Sequence, residues 1–205
     1  DAQTSLPLGR LVCASNKNRI LTDFLATGTY DRNRDFYTTM SPSMDILISS
    51  NLERLLWFIA GADATRGFME SLTSGGSYTV PADILAAARR DFYGASCNEE
   101  QTAECIRSTY EKYGYLIDPH TAVGLYCAET YIDGEKPQNK LLCVSTASPY
   151  KFASNVYPAL TGKKLDDEFE CIDETARLTG VTPPAPLSEL RSKTVRFDPD
   201  KYSMP

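Results

Sequence analysis

The only histidine of the chain, His120, stands in Asp118-Pro119-His120-Thr121-Ala122, just where a helix is expected to begin. Three other clusters of hydroxyl and amide side chains share that kind of location. Cys13-Ala14-Ser15-Asn16-Lys17-Asn18 closes a short apolar run. Tyr30-Asp31-Arg32-Asn33-Arg34 leads into Ser41-Pro42-Ser43-Met44-Asp45-Ile46 and then Ser50-Asn51-Leu52-Glu53-Arg54. Ser145-Thr146-Ala147-Ser148-Pro149-Tyr150-Lys151-Phe152 follows a second apolar run. Polar groups at strand ends and helix starts of an open α/β sheet are where ligands bind. Two hydroxyls at a helix start, with its free N–H groups, suit a phosphate or a carboxylate. Each cluster also has a plainer reading: a polar turn, ordinary capping beside a solvated Glu–Arg face, a packing histidine, a strand-ending turn. No cluster decides the matter alone.

The elements that must position these residues follow from pattern. Arg10 to Ser15 reads as a buried parallel strand, and Lys140 to Ser145, with Leu141-Leu142-Cys143-Val144, as a second. Ser41-Pro42 predicts a helix running to Gly61, with Ser41 as cap and Pro42 in the first turn. A short helix over 66–72 and another from Pro81 through Phe92 are expected next. Ser96 and Glu99 have the spacing of a capping box, and Gly114 ends the helix they would open. Asp118-Pro119 restarts a helix, Asp166 or Asp167 caps one that ends at Gly180, and Thr182–Pro186 reads as a connector. Residues 30–40 read as loop, and a short strand is expected around Thr194–Phe197. Helices between a few isolated strands indicate α/β layers with a thin sheet, part of which lies elsewhere.

Composition narrows the function. The 205 residues carry a formal net charge of -6, with 42% hydrophobic and 23% charged residues, which is globular and ill suited to a phosphate backbone. Nucleic acid is therefore not expected as a partner. Six cysteines without a CxxC pair, and one histidine, supply a zinc site poorly, so no metal is expected. The thiols read as reduced core residues and imply the cytoplasm. Neither a leader nor a membrane-spanning run is apparent.

Together, GRLVCASNKN, LTDFLATGTYDRNR, SPSMDILISSNLERLL, EKYGYLIDPHTAVG and STASPYKF resemble, in order, segments of the bacterial and fungal type of threonine synthase. The resemblance covers roughly residues 6 to 160 and is looser after 165. It implies a helix-rich α/β fold, the C-terminal part of a tryptophan-synthase-β-like (fold type II) pyridoxal-phosphate enzyme, with a thin parallel sheet. Residues 1–205 would be the C-terminal portion of the large cofactor-binding domain, with a looser helical tail from about 165. The implied reaction converts O-phospho-L-homoserine and water to L-threonine and phosphate, with pyridoxal phosphate as electron sink.

In that family the Schiff-base lysine and a glycine-rich phosphate cradle precede these segments. The chain alone is therefore expected to hold no catalytic residue and to be inactive, its partner being the N-terminal half of the same enzyme. By the same resemblance Thr146, with Ser145 as fallback, would put a hydroxyl against the pyridine nitrogen. His120 would face the cofactor cleft, touching the ring or bracing it. Asn16, Ser41, Ser43, Asn51 and Arg54 would line the substrate side. Relatives often carry His at the place of Ser148, so no acid–base role rests there. The competing readings are a non-catalytic truncated relative acting as a binding partner, and a related amino-acid dehydratase; the SPSMDILISSNLER segment counts against the latter.

Overall fold

The computed structural model describes residues 8–194, so Val195–Phe197 of the expected last strand lie outside them. Strand β1 (Leu11–Ser15) pairs in parallel with β4 (Phe92–Ser96), Leu11 opposite Phe92 and Ser15 opposite Ser96. The pairing continues past the strands, where Cys97 N–H donates to the Ser15 carbonyl at 2.9 Å. A second, antiparallel ladder joins β2 (Thr29–Asp31) to β3 (Ser77–Thr79).

Alternation along the parallel strands assigns their two faces. Cys13 and Phe92 pack with helix α1 (Ile20–Thr27) and its cluster of Ile20, Phe24 and Leu25. Val12, Ala14, Tyr93 and Ala95 pack with Val123 and Cys127 of the helix Pro119–Glu135 (α5). Helices therefore cover both sides of a two-stranded sheet. Between these elements run α2 (Ser50–Gly75), α3 (Ala82–Asp91) and α4 (Glu99–Tyr113). The chain ends in α6 (Ala153–Thr161), α7 (Glu168–Thr179) and a short α8 (Ala185–Ser188). A separate core of Ile106, Ile117, Val156, Cys171 and Ile172 joins α4, α6 and α7.

Glycine at 94 is a packing requirement. A Cβ there would come within 3.2 Å of the Thr22 Cα and 3.1 Å of the Leu25 side chain. The Thr22 hydroxyl closes the same contact by donating to the Ala95 carbonyl at 2.8 Å. The other telling glycine is Gly61, whose φ of 81° and ψ of 175° break α2 into two helices at a kink.

Local signals are matched at several ends. Asp118 caps α5, Asp167 caps α7, and Gly114 and Gly180 close α4 and α7 in left-handed geometry. Elsewhere the structure corrects the sequence reading. The 41–61 helix does not start at Ser41: Pro42–Met44 forms one 3-10 turn, and α2 begins at Ser50 under a Ser49 cap. Its expected end at Gly61 stands, because α2 breaks there, and the expected 66–72 helix lies in the second of its two parts. The capping box uses Asn98 and Gln101, because Ser96 is still in β4. Residues 140–145 form no strand, since no described strand lies beside them to complete a ladder. Leu142 and Val144 there are 86% and 67% exposed, and Cys143 is exposed where a core thiol was expected.

Two outcomes follow. Gly94→Ala forces α1 off the sheet and lowers stability by about 1–3 kcal/mol, seen as a lower denaturant midpoint with an unchanged slope. Burial pushes the Cys97 and Cys105 thiols up to about 11 and Cys127 up to about 12. A higher pKa leaves less thiolate at neutral pH. Iodoacetamide at about pH 8 therefore labels exposed Cys143 first and leaves Cys97 and Cys127 until unfolding, as peptide mass mapping would report.

Candidate functional site

The site is built outward from Asp118, a fully buried carboxylate. As the cap of α5, its Oδ2 accepts the His120 N–H at 3.0 Å and its Oδ1 accepts the Thr121 N–H at 3.2 Å. The Thr121 hydroxyl donates to the same Oδ1. The His120 ring then turns back, placing Nδ1 2.8 Å from Oδ2. On its other edge, Nε2 lies 3.1 Å from the Ser43 backbone N–H. A backbone N–H can only donate, so Nε2 supplies the lone pair and the ring proton sits on Nδ1. Phe152 stacks obliquely on the imidazole, ring centroids 4.7 Å apart.

Ser145 joins through Thr121, the two hydroxyl oxygens lying 3.2 Å apart. The Thr121 hydroxyl thus reaches both the Asp118 carboxylate and the Ser145 oxygen, which accepts. Thr146, the next residue, is exposed and carries no comparable bond among the described residues. Burial first, and the Asp118 charge second, push the neighbouring Cys143 thiol up.

A second hub lies at the end of β1. Asn16, fully buried, offers its amide group to Thr39 Oγ1 at 2.8 Å, to Ser41 Oγ at 3.0 Å and to Asp45 Oδ1 at 2.7 Å. Asp45 also accepts from the Asn18 amide, the Thr39 hydroxyl and the Thr39 N–H. With its carboxylate turned back on the chain, Asp45 competes with helix formation, which is why the segment makes only one turn. From outside, Glu99 of α4 accepts the Met40 N–H at 3.0 Å. Tyr30 holds the following stretch: its hydroxyl donates to the Leu47 carbonyl at 3.0 Å and accepts the Ser49 N–H at 2.9 Å.

The four clusters thus become one connected set. Asn16 binds Ser41, the Pro42–Met44 turn binds His120, and His120 meets both Thr121 and Phe152. Ser41 is buried like Asn16, while Ser43 and Ser145 are exposed. Asn51 and Arg54 lie exposed on the first turns of α2, and no hydrogen bond joins them to the set. Ser148 caps the 3-10 turn Pro149–Phe152, accepting the Tyr150 N–H. The sequence clusters contained Asn18, Asp45 and Thr121 without assigning them a role, and Thr39 lay outside them. Asp118 was visible as a cap through the Asp-Pro signature, but its role as the meeting point of four donors was not.

An α/β framework with polar groups gathered beyond its strand ends is an arrangement in which such sheets bind ligands. Comparison makes this specific. Residues 121–193 match the family model described as threonine synthase, C-terminal. Over 173 residues the chain is 39% identical to threonine synthase of Saccharomyces cerevisiae, covering 77% of this chain and 34% of that protein. It is 38% identical over 165 residues to threonine synthase-like 1 of Homo sapiens, covering 79% of this chain and 22% of that one.

Among solved structures, yeast threonine synthase superposes on 93% of the chain with a TM-score of 0.80 at 33% identity, using 38% of its own length. The pyridoxal-phosphate-bound threonine synthase of Brucella melitensis superposes with a TM-score of 0.75 at 35% identity, again over 93% of this chain and 37% of that one. The chain is similar to the C-terminal portion of threonine synthases, and its helix-rich α/β fold with a small parallel sheet is theirs. It spans about a third of the length of the yeast enzyme. No helix among the described residues is long and apolar enough to cross a membrane.

Removing the central carboxylate is expected to be costly. Asp118→Ala strips a cap and leaves several buried donors without partners, a loss of about 3 kcal/mol or more. Asp118→Asn keeps one acceptor oxygen and should fall between that variant and the parent in a denaturant titration.

Proposed function

We propose that this chain forms the C-terminal part of a threonine synthase, which converts O-phospho-L-homoserine and water to L-threonine and phosphate with pyridoxal phosphate. The similarity to threonine synthases over nearly the whole chain carries this reading, and the hydrogen-bonded set around His120 is consistent with it. The remainder of the same enzyme is the proposed partner, supplying the Schiff-base lysine and the phosphate cradle. The 205 residues alone are proposed to be inactive.

The donor chemistry fits such a cofactor. Asp118 and Asp45 are spent on donors of this chain, and Glu99 holds the Met40 N–H with one of its two oxygens. What remains next to them is a hydroxyl pair, Ser145-Thr146, on an exposed segment. A neutral hydroxyl can donate to a pyridine nitrogen without protonating it. When bound, the cofactor supplies a sink for electrons released at Cα and Cβ of the substrate.

Thr146 is the proposed partner of that nitrogen, because Ser145 is engaged with Thr121 while Thr146 stands exposed. Ser145 then holds the segment against α5, and Phe152 holds it against His120. Ser43, exposed on a turn whose backbone is fixed, is a proposed substrate-side donor. Asn16 and Ser41 act from beneath, shaping the turn and excluding water from its base. Asn51 and Arg54 remain proposals on the substrate side, Arg54 as a cation for an anionic group.

In the full-length enzyme, Thr146→Val keeps the shape and removes the donor. The loss of about 1–3 kcal/mol weakens cofactor affinity and slows turnover, about tenfold per 1.4 kcal/mol. Ser148→Ala removes only a cap and should be mild. Phosphate release from O-phosphohomoserine, with cofactor affinity measured separately, checks both. A neutral Thr146→Val beside a crippling Ser145→Ala would move the role to Ser145. Lack of any such phosphate release by the unmutated enzyme would end the threonine synthase reading.

A further inference from the structure

His120 has no free nitrogen. Its Nδ1 is bonded to Asp118, its Nε2 to the Ser43 N–H, and Phe152 covers part of one face; the residue is 7% exposed. A side chain so engaged cannot exchange protons with a ligand unless the site first comes apart. The Ser43 contact, in contrast, crosses 77 positions of sequence and joins two elements with different attachments. On one side is the rigid start of α5. On the other is a three-residue 3-10 turn, flanked by Ser41 bonded to Asn16 and by Asp45.

Within the turn, the Met44 N–H goes to the Ser41 carbonyl and the Asp45 N–H to the Pro42 carbonyl. Proline 42 has no N–H. The Ser43 N–H is therefore the turn's one backbone donor used outside it. Its direction fixes where the exposed Ser43 side chain stands.

We propose that His120 is a positioning residue, a neutral imidazole that carries the alignment of α5 to the Ser43 turn and so sets the substrate-side donor. The proposal rests on the threonine synthase reading for its kinetic consequence, and on the hydrogen bond alone for its structural one. Asp118 fixes the tautomer. A ring proton moved to Nε2 would oppose the Ser43 N–H with a second donor, and the turn would have to leave α5. The contact thus carries the ring orientation that Asp118 sets to a serine on another element.

The two amide residues separate the two edges of the ring. In His120→Asn the side-chain amide falls near the place of Nδ1, so it can serve Asp118 and cannot reach Ser43. In His120→Gln the carbonyl oxygen falls near the place of Nε2 and can accept the Ser43 N–H. Both are made in the full-length enzyme. The first readout is hydrogen exchange of a peptide containing Ser43, followed by mass spectrometry without substrate. The unmutated protein is expected to protect the Ser43 amide; exchange there at the unstructured rate would overturn the proposal before any variant is made.

His120→Asn loses that protection, and His120→Gln recovers most of it. The second readout is steady-state turnover. His120→Asn raises KM for O-phosphohomoserine by about fivefold, the equivalent of one ordinary hydrogen bond, with a much smaller change in kcat, and His120→Gln lies nearer the parent. The idea is overturned if the glutamine variant is the worse of the two, or if both lose kcat with KM unchanged. Absence of turnover in the unmutated enzyme, with Ser43 protected as expected, would reject the reaction and leave the positioning contact standing.

Discussion

The site depends on the burial of one charge. Asp118 has no exposure to solvent, and a carboxylate in that position is tolerable only if its oxygens are fully occupied by donors. It finds them within three residues: two backbone N–H groups at the start of α5, the Thr121 hydroxyl and the His120 ring. Every proton near it is thereby assigned. Thr121 turns its hydroxyl to Asp118 and to Ser145, His120 must hold its own proton on Nδ1, and Nε2 must face outward as an acceptor. The carboxylate caps a helix, and in doing so it fixes the donor and acceptor pattern that neighbouring segments meet.

Those segments need such fixing because they are loops. Residues beyond a strand end carry backbone donors with no ladder to enter, and buried donors must be satisfied one by one. The 37–45 stretch does so with side chains: Asp45 takes the Thr39 N–H, Thr39 takes the Ser41 N–H, Glu99 takes the Met40 N–H and His120 takes the Ser43 N–H. Helix α4, helix α5 and strand β1, through Asn16, each hold one part of the stretch. A loop tied to three elements behaves as an extension of the framework, which is what orientation of a bound molecule requires.

The difference between what the sequence disclosed and what it hid follows the range of the forces involved. Caps at Asp118 and Asp167 and stops at Gly114 and Gly180 were legible because each is decided within four residues. Strand β1 was legible as an apolar run between turn residues. Strand β4 was not: it follows α3 without a glycine or proline between them, and Phe92 fits the apolar side of the helix as well as the strand. The apolar run at 140–145 looked like the stronger strand, yet pairing depends on a neighbour that the described residues do not provide.

The helix expected from Ser41 gave way to the side-chain bonds of Asp45, partners 6 to 29 positions distant. Asn16 was picked out for its polarity at a strand end, and it is indeed central, but as a buried tie. The link between His120 and Ser43 could not be read from either motif, because neither contains a sign of the other.

The same economy of charge bears on the chemistry proposed. A pyridine nitrogen opposed by a carboxylate is drawn toward protonation, whereas one opposed by a hydroxyl keeps its lone pair as the acceptor. At this site Asp118 and Asp45 are turned inward and satisfied, and Glu99 spends one oxygen on the Met40 N–H while its buried Oε1 meets no donor among the described residues. The hydroxyls left outward, Ser43 and Thr146, are neutral. A cofactor ring resting against Thr146 would then meet a donor that stabilises its neutral form. Negative charge developing during reaction would be met by donors and cations, Arg54 among those proposed, together with groups from the remaining two-thirds of a threonine synthase. The division is physically sensible: this part supplies a rigid face, and its buried acids are used to keep that face in place.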